Sequence, residues 1–142
     1  MTETLAGTAF KARFEQTNTM PGSTVLHMDL SFTPISTGGW DAVGTAEVVR
    51  GSTNPPLELN FPVQGTLLVG ADEIVPPTYA LHVHSHFADG RVGTSLDVRL
   101  AASSDVPPSQ ADKLSFQGEY TWMAGEPVTV PAVVEMINSA NH

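Results

Sequence analysis

Three histidines at alternating positions, His82, His84 and His86, are the sharpest chemical signal in this sequence. On a β-strand, residues two apart point to the same side about 6.5–7 Å from one another, so neighbouring imidazoles can converge on one metal ion. Three in line span about 13 Å, so a single ion would take one neighbouring pair and a further ligand from an adjacent strand. Asp97 is the expected further ligand, with His27 or Asp29 serving if their strand lies alongside. A divalent transition metal is the cofactor such a set would hold. The plainer alternative is that the histidines form the solvated face of a half-buried strand. The opposite face, with Tyr79, Leu81, Val83 and Phe87, is apolar, as that alternative requires.

Asp89-Gly90 separates this run from a second alternating run, Val92 to Leu100, and Asp-Gly between two such runs is a strong hairpin signal. With those two as the turn, Tyr79, Leu81, Val83 and Phe87 face Leu100, Val98, Leu96 and Val92. His82 then faces Asp97, His84 faces Ser95, and His86 faces Gly93. Direct opposition would hold the His82 and Asp97 β-carbons about 4.5–5.5 Å apart and make them a cross-strand ion pair.

Other chemistry is harder to assemble. The His-x-His pair invites comparison with the cupins, double-sheet β proteins that bind metal. Their pattern adds a glutamate, flanking glycines and a later histidine. Here Asp89 belongs to the turn, Pro76 or Thr78 stands at a glycine position, and only His142 follows His86, so the chain departs from that pattern. Asp29 with Glu47, or Asp97 with Glu119, could form the carboxylate pair of a glycosidase, but no spacing selects either. Ser23, Ser103 and Ser104 lack a strand-turn-helix elbow, and no phosphate-binding glycine loop occurs. No catalytic or cofactor-binding residue is assigned. Trp40, Tyr120 and Trp122 could stack on a sugar, although alternation places Tyr120 and Trp122 in a core.

The elements that must position these residues read as strands. The 142 residues suit one domain, 1–142, with a core of useful size. Alternation marks Ala9 to Glu15, Thr24 to Phe32, Trp40 to Arg50, Leu57 to Val63, Thr66 to Val69, the two hairpin strands and Leu114 to Trp122. Pro62 predicts an edge or a bulge, Gln64-Gly65 a kink, and small residues at Ala42, Gly44 and Ala46 a close approach. Met20-Pro21-Gly22-Ser23 reads as a turn, Ser103 to Lys113 as an ordered loop, and Val128 to Ile137 as a strand or a short helix. Beyond about Asn138 a mobile tail is expected. The fold class is all-β with little helix, an antiparallel β-sandwich or a closed β-barrel of about seven to eight strands.

Fifteen acidic residues against six basic give a net charge of −9, which repels phosphate backbones and anionic lipid and argues against nucleic-acid and membrane partners. The absence of cysteine excludes disulfides and thiolate metal sites and fits a reducing compartment. The N-terminus shows no secretory pattern and no run is long enough to span a membrane as a helix, so a cytoplasmic location is expected. Edge strands in a chain with few charges predict self-association as a homo-oligomer.

Val25-Leu26-His27, then Asn54-Pro55-Pro56-Leu57, then the aromatic strand near Trp122 occur in an order that resembles a bacterial family of small all-β proteins catalogued as a domain of unknown function. The resemblance implies a bacterial origin and a single β domain, and no activity or cofactor. The functional expectation is a non-enzymatic binding or assembly module. The alternative is a metal-binding β protein, with metal-dependent catalysis as its extension, using His82, His84, His86 and Asp97.

Overall fold

Period-two alternation sets which side of each strand faces inward, and eight strands obey it. The computed structural model describes residues 8–18, 24–36, 38–50, 57–70, 77–85, 93–124 and 126–139. Its strands are β1 (Phe10–Gln16), β2 (Thr24–Pro34), β3 (Trp40–Arg50), β4 (Leu57–Val69), β5 (Thr78–Ser85), β6 (Thr94–Ser103), β7 (Lys113–Ala124) and β8 (Glu126–Asn138). No α-helix occurs among the described residues, and the 128–137 segment is strand. The turn expected at Met20–Ser23, the Asn54-Pro55-Pro56 segment, His86, the Asp89-Gly90 turn and residues 140–142 of the expected tail lie outside the described residues.

Each strand pairs antiparallel with the next, and β8 returns to pair with β1, which makes a closed barrel and settles the choice against a sandwich. A row of opposed residues leaving β1 at Lys11 runs through Ser31, Val43, Gln64, His84, Asp97 and Thr121 to Thr129. The hydroxyl that meets the Lys11 carbonyl belongs to Ser139, ten residues further along (129 to 139). Such a stagger tilts the strands by about 35–45° and sets the width of the barrel. Closure also removes the free edges, so the edge-strand argument for self-association lapses. Any association must come from side chains on the wall.

Eight strands leave an interior just wide enough for side chains, and side chains fill it. Trp40, Tyr120, Phe14, Phe32, Phe61 and Phe116 are all fully buried. Phe10 stacks on Phe32 at 4.5 Å, and Phe14 meets Phe116 edge-on at 5.6 Å. Ala42 and Ala46 are inward and buried and make room for these rings inside the barrel, while at Gly44 a β-carbon would collide with the Asp29 carbonyl, the close approach expected of this strand.

β4 corrects one expectation: the two runs Leu57 to Val63 and Thr66 to Val69 are a single strand, Leu57–Val69, in one register with β3 and without a bulge at Pro62. The described ladder to β5 starts only at Gln64↔His84, so Pro62 pairs with β3 alone among the described pairs. At Gly65 the β5 backbone presses in, and a β-carbon there would collide with the His82 carbonyl and the Val83 Cα. Glycine is required by that approach.

The barrel ends are tied by polar side chains that the alternation did not announce. At one end the buried Asn138 amide donates to Pro108 O and Ser109 O, both at 3.1 Å, which seats the 104–112 loop. The Trp40 indole donates to Thr8 O at 2.9 Å beside it. At the other end, Gln16 Oε1 accepts from Tyr120 OH at 2.8 Å and from Leu26 N at 3.0 Å. Burial there pushes the Tyr120 hydroxyl far above its ordinary pKa.

Candidate functional site

β5 carries His82 and His84 on its outer side because Tyr79, Leu81 and Val83 take the inner one. The two imidazoles lie with ring centroids 5.8 Å apart, tilted by 51°. The apolar-in, histidine-out reading of this strand is what the structure shows, and both side chains are half-buried.

The pairing across β5 and β6 differs from the expected register by two residues. His84, not His82, stands opposite Asp97, and His82 stands opposite Arg99. The cause is the symmetry of the pattern. A slip of two residues returns every side chain to its own face, so alternation cannot detect it, whereas a slip of one would expose the core. Only the assumed turn chose between the registers, and that turn lies outside the described residues.

His82 nonetheless reaches Asp97 diagonally, with Nε2 3.3 Å from Oδ2. Arg99 Nε donates to the other carboxylate oxygen at 3.0 Å. Partial burial alone would push the Asp97 carboxyl up. The hydrogen bonds and charges of Arg99 and His82 outweigh it and hold the carboxyl below its ordinary value. Arg99 is the residue that sequence reasoning missed. Its signal was present, because Asp97 and Arg99 are two apart on one strand and must share a face.

Asp97 is thus engaged at both oxygens. His27 and Asp29 sit on β2, separated from β5 by β3 and β4, and do not lie alongside the His pair. His27 faces Glu15 and Glu47 across its two neighbours, and Asp29 meets Arg13 Nε at 3.6 Å. Among the described residues no group of three or more His, Asp or Glu side chains is arranged to hold a metal ion. His86 lies outside the described residues. The carboxylate pairs considered for hydrolysis are not directly opposed: Asp29 faces Thr45, Glu47 faces His27, Asp97 faces Thr121, and Glu119 faces Arg99. Trp40, Tyr120 and Trp122 are all core.

The surroundings of His84 form a shallow hollow on the barrel wall. Gln64 stands directly opposite it, Val43 lies one strand further on, and Asp41 and Pro62 complete the rim. Val43 is 58% exposed, the most exposed of the large apolar side chains described. At the barrel end carrying Gln16, the Arg50 guanidinium lies 5.9 Å from the centre of the Trp122 ring, whose buried Nε1 has no hydrogen-bond partner among the described residues.

The distribution of polarity is the inverse of a membrane-spanning barrel, which turns apolar residues outward. Here Lys11, Arg13, Glu15, Asp29, Asp41 and Glu47 point out, and the aromatic residues point in. No helix is long and apolar enough to cross a membrane among the described residues. No family model matches the chain, and no curated protein or solved structure matches it either.

Proposed function

We propose that this protein is a non-enzymatic binding or assembly module, a rigid packed barrel that works through its outer wall. One observation carries the reading: the interior is occupied by its own side chains, with Trp40, Phe14, Phe32, Phe61, Phe116 and Tyr120 fully buried. Barrels of this strand number that bind small molecules hold them in the space these rings take up. Recognition is therefore left to the surface, where flat strands of fixed register present side chains at regular spacing. Titration of the folded protein with a fluorescent fatty acid tests this. The reading predicts no saturable binding, and a one-to-one complex would overturn it.

A second reading has the outward His82–His84 pair in its favour, with rings 5.8 Å apart. Two imidazoles on one strand face suit a surface Zn(II) or Cu(II) ion bound mainly by this pair, since Asp97 is already engaged. Calorimetric titration of untagged protein with Zn(II) separates the two. Stoichiometric binding that disappears in the His82→Ala, His84→Ala double variant supports the metal reading, and an unchanged weak heat in both proteins removes it.

A further inference from the structure

Part of the barrel wall carries no charge. Leu68 on β4, Ala80 on β5, Ala101 and Ser103 on β6, and Ser115 and Gln117 on β7 are all exposed. The pairs Leu68↔Ala80, Ala80↔Ala101 and Ala101↔Gln117 place four of them in one row across four strands. Leu68 rises from this face at 43% exposure. Two strands along, a hollow of about 460 Å³ opens between Ala101, Ser103, Ser115 and Gln117. A projection and a recess therefore lie on the same face, flanking Ala80.

We propose that this face binds a second copy of the chain about a two-fold axis near Ala80, with Leu68 of each copy seated in the hollow of the other. The proposal deepens the assembly reading above and rests on it. A two-fold contact needs a patch that complements itself, and a projection and recess on either side of the axis supply that. At Ala80 and Ala101 the side chain is a single methyl group, so two sheets can approach face to face at the usual spacing of about 10 Å.

Charge selects the occupant. The chain carries −9, so two copies repel unless they meet where the charges are not. An identical copy brings an uncharged row whose nearest charges, Lys113 and Arg99 against Glu119 and Glu135, balance in sign, and keeps the acidic residues of β1–β3 away from the contact. A basic partner would be drawn instead to β1–β3, where Glu15, Asp29, Asp41 and Glu47 point outward. The contact rests on one seated apolar side chain per copy, with no aromatic or arginine anchor, so dissociation in the micromolar range is expected. Salt screens the net repulsion and adds nothing against an uncharged contact, so it strengthens the dimer.

Sedimentation velocity over a concentration series tests the proposal. Wild-type protein is expected to pass from monomer to dimer across the micromolar range, with a higher dimer fraction at higher NaCl. Ala101→Arg and Leu68→Lys, both at exposed positions, should each weaken the dimer at least tenfold, while Val43→Lys, on the neighbouring strand β3 and outside the row, leaves it unchanged. The chain has no cysteine, so Ala80→Cys supplies its only thiol, and a short bismaleimide, which spans the gap between the facing sheets, should link two copies, with Val43→Cys as the control that is not linked. Monomer at every concentration, or a dimer lost with Val43→Lys and indifferent to Ala101→Arg, overturns the proposal. Either result leaves the outer-wall reading standing, whereas saturable uptake of a fatty acid removes that reading itself.

Discussion

The wall formed by β1–β3 and the wall formed by β4–β7 are built alike on the inside and differently on the outside. Inward, both present large apolar side chains: Phe14, Leu26, Phe32 and Trp40 from the first, Phe61, Leu81, Val98 and Tyr120 from the second. Outward, the first carries ions on every strand, with Arg13 between Glu15 and Asp29. The second carries Asp97, Arg99 and Glu119 toward one end and Lys113 at the other, and leaves the Leu68–Gln117 row between them neutral. The core therefore constrains both walls equally, and only the outer residues differ in what they can recognise. Substitutions inside should cost stability on both walls, and substitutions outside should change association on one.

Phe14→Ala should have the largest effect. Phe14 is fully buried on β1 and touches both Phe32 and Phe116, so its loss opens a cavity that both walls share. Urea unfolding should show a loss of about 3–5 kcal/mol. A loss below about 1 kcal/mol would mean that the two walls do not share this core.

Gly65→Ala comes next. The added methyl group meets the β5 backbone, not a side chain that could turn away, and overpacking of this kind costs about 1–3 kcal/mol. The same substitution at Gly38, where nothing lies nearby, meets only the strain of a positive φ of 98°.

Tyr120→Phe removes the hydrogen bond that links β7 to β1 through Gln16. Leu26 N still donates to the same oxygen, so the cost is about 1 kcal/mol. The alkaline limb follows from the raised Tyr120 pKa. Its contribution is fully present below the unfolded value of about 10 and is lost as pH rises toward the higher folded value. Chemical unfolding measured between pH 9 and 11.5 should show wild type losing stability at the alkaline end and Tyr120→Phe losing less.

The smallest effect lies within the second wall. The Asp97 carboxyl is held low in the folded state, so its contribution is present above the unfolded value of about 3.9 and lost as pH falls through the folded one. Because the group is substantially exposed, Asp97→Asn should cost no more than about 1 kcal/mol near neutral pH. That difference should vanish in strong acid.

Which parts of this were legible in the sequence follows from the period of a strand. Faces were legible: Leu26, Met28, Leu30 and Phe32 point inward as alternation requires, and so do Leu59, Phe61 and Val63. Register was not, since a two-residue slip preserves those faces and placed His82 opposite Asp97 instead of Arg99. Closure was not legible either, because it depends on β1 meeting β8, a pairing between residues more than a hundred positions apart. The polar ties at the ends escaped for a similar reason. Gln16 and Asn138 look like strand-end residues in the sequence, and only the closed barrel buries them against Tyr120 and the 104–112 loop. The candidate site was half visible: the outward histidines were, but Arg99's hold on Asp97 needed the register.

Amide chemical shifts recorded on dilute and concentrated protein test the contrast between the walls most directly. The account predicts shifts that move with concentration at Leu68, Ala80, Ala101 and Gln117, while Arg13, Asp29 and Glu47 stay fixed. Movement confined to β1–β3, or spectra identical at all concentrations, would contradict it.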